Sequence, residues 1–234
     1  MSLPPSVHDH YFDLINTPNE GAIQRNFDGF VRDLHSFLNN ELPCLRDLQK
    51  IRKQWTGREY KKAFAKFVTA PYEWYTFNYG GRNEMQFNIG MFMGHAENIC
   101  YLRVGIGFNF TRARFGDPEA VGRAYTCFVS IVGREPKFSD FVRRGCLEIE
   151  WYYSKAPKLQ YTPTDRVVPQ LTKLSEVHEC EWIFIGRLLR RGIDRASLED
   201  PVKLKEIIQS VFCGFRPLWE KTQLSVLSER GLRS

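Results

Sequence analysis

The sequence lacks any apolar run approaching the roughly 18 residues that cross a bilayer, which excludes a membrane-spanning helix. It also lacks a C-x-x-C pair: Cys44, Cys100, Cys127, Cys146, Cys180 and Cys213 stand singly. A chain of 234 residues can bury a core without a disulfide framework, so Cys100, Cys127 and Cys213, set among apolar neighbours, read as small buried hydrophobes. No P-loop, nucleophile elbow or triad spacing occurs, and Gly105-x-Gly107 does not open a helix as a phosphate loop would. There is no internal repeat and no low-complexity tract. Met1 to His10 lack the charged-then-apolar order of a signal peptide, and the chain reads as cytoplasmic. The sequon Asn109-Phe110-Thr111 falls in a strand-like run and reads as accidental.

What is present is globular material with a surplus of aromatics, 14% of the chain, some of which must reach the surface. Ile23, Phe27, Phe30, Val31, Leu34, Phe37 and Leu38 keep helical spacing. A second helix is expected from Pro43 to Trp55 and a short third one to Phe67. The period then changes to two. Tyr72 to Tyr79, Asn83 to Met93 and Ile99 to Thr111 form an antiparallel meander, with Gly80-Gly81 as a two-residue hairpin turn. Asp117-Pro118 starts a helix, Leu147 to Tyr153 is a strand, and residues 155 to 170, with three prolines, read as loop. Trp182 to Leu189 is nearly all apolar, as in a strand buried on both faces, and a last helix starts near Asp200-Pro201. The expectation is an α+β fold. N-terminal helices (1–70) precede a sheet domain (71–234) whose meander is extended by two later strands into one mixed sheet.

A two-residue turn sets Tyr79 opposite Arg82, Phe77 opposite Glu84 and Tyr75 opposite Gln86. One face then holds Trp74, Met85, Phe87, Ile89, Leu102, Val104, Ile106 and Phe108, which is core. The other holds Tyr75, Phe77, Tyr79, Arg82, Glu84, Gln86, Asn88, Arg103 and Asn109, with Gly105 and Gly107 leaving gaps. Aromatic platforms beside hydrogen-bonding groups and cleared backbone suit planar polar ligands such as bases. The plainer alternative is a covered face with Glu84 and Arg103 as a partly buried pair.

The formal net charge is +6, and one stretch accounts for it. Arg46, Lys50, Arg52, Lys53, Arg58, Lys61, Lys62 and Lys66 face only Asp47 and Glu59. On a helix, Arg46, Lys50 and Lys53 would share one solvent face opposite Leu45, Leu48, Ile51 and Trp55. Such a cluster attracts a phosphate backbone, although a solvated basic face has the same composition. Arg187, Arg190, Arg191 and Arg195 form a second cluster. His178-Glu179-Cys180 has no second ligand pair spaced to complete a metal site.

The element order over roughly residues 43 to 153 resembles the restriction-endonuclease-like core: helix, three-stranded meander, crossover helix, strand. That family places an acidic residue on one strand and an acidic-x-Lys triplet on the next around a metal. The nearest triplets here are Glu84-Met85-Gln86 and Glu148-Ile149-Glu150, with no lysine in either. The resemblance implies Glu84, Gln86, Glu148 and Glu150 as candidate site residues, with Mg²⁺ as cofactor if the chain is a nuclease.

Three readings stand. The first is a nucleic-acid-binding module, DNA before RNA, such as the recognition part of a restriction or defence system. It would use Arg46, Lys50, Arg52, Lys53, Arg58, Lys62, Lys66, Tyr75, Phe77, Tyr79, Arg82 and Arg103, and needs no cofactor. The second is a metal-dependent nuclease with a degenerate site. The third is an interaction domain whose basic surface meets an acidic protein.

Overall fold

The computed structural model describes residues 3–8, 11–12, 21–48, 50–52, 73–80, 83–93, 100–110, 117–153, 156–175 and 180–231. Helix α1 (Gly21–Asn40) is followed by a 3-10 turn (Pro43–Leu45) and four strands. These are β1 (Lys50–Arg52), β2 (Glu73–Tyr79), β3 (Gln86–Met93) and β4 (Cys100–Asn109). Helices α2 (Pro118–Arg134) and α3 (Phe138–Gly145) lead to the hairpin of β5 (Glu148–Tyr153) and β6 (Ala156–Thr162). Helix α4 (Val167–Ser175), strand β7 (Cys180–Arg190), the short α5 (Arg195–Leu198) and the long α6 (Pro201–Gly231) complete the chain. The architecture is α+β, and no helix among the described residues is long and apolar enough to cross a membrane.

The strands form one sheet in the order β1-β2-β3-β4-β7-β5-β6. Every pairing is antiparallel, so the sheet is not mixed as expected. The proline-bearing stretch expected to be loop supplies β6 and the first turn of α4. The last strand, β7, enters between β4 and β5, and its apolar sequence fits that central place.

One face of the sheet carries Phe87, Ile89, Leu102, Val104, Ile106, Phe108, Ile149, Ile183, Ile185 and Leu189, all buried. Helices α2 and α6 cover it, with Phe108 edge-on to Tyr125 at 5.0 Å and Phe87 edge-on to Phe212 at 5.6 Å. The expected cap at Asp117 forms: its carboxylate accepts from the Glu119 and Ala120 amides, with Pro118 in the first turn. Asp200 caps α6 through the Val202 amide. Phe30, Leu34, Phe37 and Leu38 of α1 belong to the same apolar cluster as the sheet.

Two further sequence expectations fail. The segment after Pro43 is not a helix to Trp55: it makes one 3-10 turn, and Lys50–Arg52 pairs with β2 as the edge strand. Leu45 and Leu48 still reach the core, so the apolar spacing was real. Beyond it, pairing with an open sheet edge overrides helical periodicity. Arg46, in a turn, and Lys50, in β1, therefore share no helix face, and Lys53 lies outside the described residues.

The second failure is the hairpin register. Tyr79 lies opposite Phe87, Phe77 opposite Ile89 and Tyr75 opposite Met91. The connection runs from Gly80 to Met85, and Trp219 Nε1 fastens it by donating to the Met85 carbonyl at 3.0 Å. Relative to a two-residue turn β2 has slid from Arg82 to Phe87, an odd number of places, which exchanges its faces. Tyr79, expected on an open polar face, is instead buried at 1% exposure.

The opposite face explains the glycines. A Cβ on Gly107 would lie 2.4 Å from Cη2 of Trp182, and one on Gly186 would lie 2.6 Å from Cζ of Phe184. Gly107→Ala should therefore destabilise by about 1–3 kcal/mol through displacement of Trp182. Gly122→Ala, at an open position inside α2, should stabilise by roughly 0.5–1 kcal/mol. Urea unfolding of both variants checks the contrast, and equal effects would contradict the packing described.

Candidate functional site

The polar face of β3, β4, β7 and β5 gathers charge in the interior. Asn88 lies opposite Gly105, Gly105 opposite Gly186, and Gly186 opposite Glu148, forming a rung with little side-chain bulk at its centre. Into this trough reach Arg103 from β4 and Glu150 from β5, at 3% and 1% exposure. They meet across the intervening β7, with Nη1 of Arg103 3.6 Å from Oε2 of Glu150. Arg103 Nε donates to Oδ1 of Asn88 at 2.6 Å. Its guanidinium lies 4.7 Å from the Phe184 ring centre and 5.0 Å from that of Trp182. The Tyr101 hydroxyl donates to Oε1 of Glu150.

Beside this pair, Arg190 holds Glu148 with two parallel hydrogen bonds of 2.7 and 2.6 Å. The Arg190 amide donates to Asp194, which also accepts from Arg187 at 3.0 Å. Burial pushes the Glu150 carboxyl above the usual carboxylate range, against the opposing pull of Arg103 and the Tyr101 hydroxyl. Burial, with the negative charge of Glu150 beside it, also lifts the Tyr101 phenol well above its ordinary value.

Glu148 and Glu150 do share a strand face, as their spacing predicts, and buried Gln86 lies on the same side of the sheet. Each of these two carboxylates already faces an arginine, so a cation held there would have to displace Arg190 or contend with Arg103. Glu84 stands apart in the Gly80–Met85 connection, and Arg103 pairs with Glu150 rather than with it. The gaps at Gly105 and Gly107, expected to be cleared for a ligand, are filled by Phe184 and Trp182. Of the basic residues, Arg46 is exposed in the turn after α1, and Lys50 and Arg52 lie in β1. Lys53, Arg58, Lys62, Lys66 and Arg82 lie outside the described residues, as do His178 and Glu179. Tyr75 and Phe77 occupy register positions opposite Met91 and Ile89.

Sequence reasoning missed Tyr101, and it missed that Arg190 would be the partner of Glu148. It also counted the second arginine cluster as available charge, whereas Arg187, Arg190 and Arg195 are matched by Asp194, Glu148 and Glu199. For Arg195 the four-residue spacing to Glu199 was the overlooked signal. One exposed basic surface was also missed. Lys137, Arg143 and Arg144 line an open depression at α3 that holds a single carboxylate, Asp140. Comparison with protein families, with curated proteins and with solved structures returns no match.

Arg103→Leu should cost about 3–5 kcal/mol at neutral pH, because it strips the buried Glu150 of its counter-charge. The folded protein holds the Glu150 proton more tightly than the unfolded chain does. Its contribution to stability is therefore present at low pH and fades as pH rises from the ordinary carboxyl range through the raised value. Wild type should lose stability relative to Glu150→Gln over that window, by at most about 1.4 kcal/mol per pH unit. Chemical denaturation in a pH series measures the difference, and a flat or rising one would refute the assignment.

Proposed function

We propose that the chain is a nucleic-acid-binding module that grips the phosphate backbone with the basic stretch Arg46 to Lys66. The observation that carries this reading is the uneven distribution of matched charge. Elsewhere in the described chain, Arg103, Arg187, Arg190, Arg195 and Arg216 are each set against a carboxylate. The 46–66 stretch has eight basic residues against two acidic ones, and one of those two, Asp47, is held by Arg216 at 2.7 Å. The depression at α3, where Arg143 is set against Asp140, offers Lys137 and Arg144 as a second place for a phosphate. Clustered cations of this kind bind a polyanion by releasing its condensed counterions, without needing a catalytic group.

The nuclease reading gains no support from the site, since Glu148 and Glu150 are engaged by arginines. Because the register sets Tyr75, Phe77 and Tyr79 opposite Met91, Ile89 and Phe87 of the core face, base stacking on that trio is not part of the proposal. The contact it describes is electrostatic, and duplex DNA presents the denser line of phosphates.

Fluorescence anisotropy with labelled duplex and single-stranded oligonucleotides, titrated across salt concentrations, tests it. Affinity for duplex should fall linearly on logarithmic axes. Arg58→Ala, Lys62→Ala and Lys66→Ala together should make that slope shallower by about 2–3. No binding at low salt, or an unchanged slope in the triple variant, would overturn the proposal. Capture of an acidic protein with no nucleic acid would replace it with the protein-partner reading.

A further inference from the structure

Cys213 was expected in the core, yet it stands exposed on α6, and its Sγ lies 3.1 Å from Sγ of Cys44. The two are 169 residues apart in sequence and belong to different elements, the 3-10 turn after α1 and the middle of α6. The surrounding contacts hold them in register. Arg216, one turn along α6 from Cys213, donates to the Cys44 carbonyl at 3.0 Å and pairs with Asp47 through both carboxylate oxygens. Pro217 has no amide hydrogen, so it supplies no helical hydrogen bond to the Cys213 carbonyl, four residues back.

We propose that Cys44 and Cys213 are a modification site: a thiol pair that hydroperoxides convert to a disulfide and thiol reductants restore. Cys213 is the outward group and meets the oxidant first. Its thiolate attacks the peroxide, breaking the O–O bond to give a sulfenic acid and, for hydrogen peroxide, water after protonation. The sulfur of Cys44 then attacks the Cys213 sulfur, expels the hydroxyl as a second water and forms the S–S bond. Two thiols have lost two electrons and two protons, and the peroxide has been reduced to water. Closing the bond needs an approach of about 1 Å, to the roughly 2.05 Å of a disulfide. Burial pushes the Cys44 thiol up to about 12, which makes Cys44 the poorer group for first attack on the peroxide.

The bond would close a loop of 169 residues and fasten the root of the basic stretch to α6. Its formation does not depend on what that stretch binds.

The test is mass spectrometry of the full chain treated with hydrogen peroxide, then alkylated and digested without reduction. The expected result is a cross-linked peptide containing Cys44 and Cys213, a fall from six free thiols to four, and full recovery after dithiothreitol. The melting temperature of the oxidised protein should rise on the order of 10 °C. Cys44→Ser and Cys213→Ser should each abolish the cross-link, while Cys146→Ser, at another exposed thiol, should leave it intact. Six free thiols after treatment, a cross-link to another cysteine, or Cys213 oxidised to sulfinic acid beside a free Cys44 would overturn the proposal.

Discussion

The structure depends on one buried guanidinium. Removing Arg103 and Glu150 from water costs several kcal/mol per ion, and only close compensation makes the sheet worth forming. That compensation arrives from three strands at once: Asn88 on β3, the rings of Trp182 and Phe184 on β7, and Glu150 on β5. Because Arg103 must reach over β7 to find Glu150, the residues between have to be small. Gly105 opposite Gly186 meets that need. A bulkier pair there would separate the charges and leave both stranded. The polar face is thus a register lock, in which a one-place slip of any of these strands would bury an unmatched charge.

Much of this was legible in the sequence and some was not, for physical reasons. Local signals held wherever local chemistry decides. Asp117-Pro118 and Asp200-Pro201 start helices because their carboxylates satisfy the first amides. The stripe of Phe30, Leu34, Phe37 and Leu38 packs inward. Gly80-Gly81 misled because a favourable turn dipeptide competes with everything that follows it. Here the tie from Trp219 to Met85 holds a longer connection, and the aromatic trio of β2 changes faces with it. Lys50–Arg52 misled because an open sheet edge is a tertiary partner that no local pattern announces.

The candidate site was legible only in its parts. Glu148, Glu150, Gln86 and Arg103 were each singled out, and the fold does bring them to one face. What the sequence could not show was the assignment of partners. Arg103 and Glu150 lie far apart along the chain, and their meeting depends on β7 standing between β4 and β5. The same pairing changes the meaning of the composition. A modest positive balance becomes a body in which Arg103, Arg187, Arg190, Arg195 and Arg216 are matched, while the stretch Arg46 to Lys66 carries a formal excess equal to the net charge.

The place of β7 has a further consequence, for the order of events during synthesis. Strands β1 to β4 can pair as soon as they emerge, and β5 with β6 can close its own hairpin. These two pieces share no ladder until residues 180–190 arrive to join them. Until then the apolar edge of β4 and the edge of β5 both lie open, the condition in which strands from different chains find one another. The nascent protein therefore carries its greatest risk of association late. The arrival of a single strand closes both edges and unites Arg103 with Glu150 in the same event.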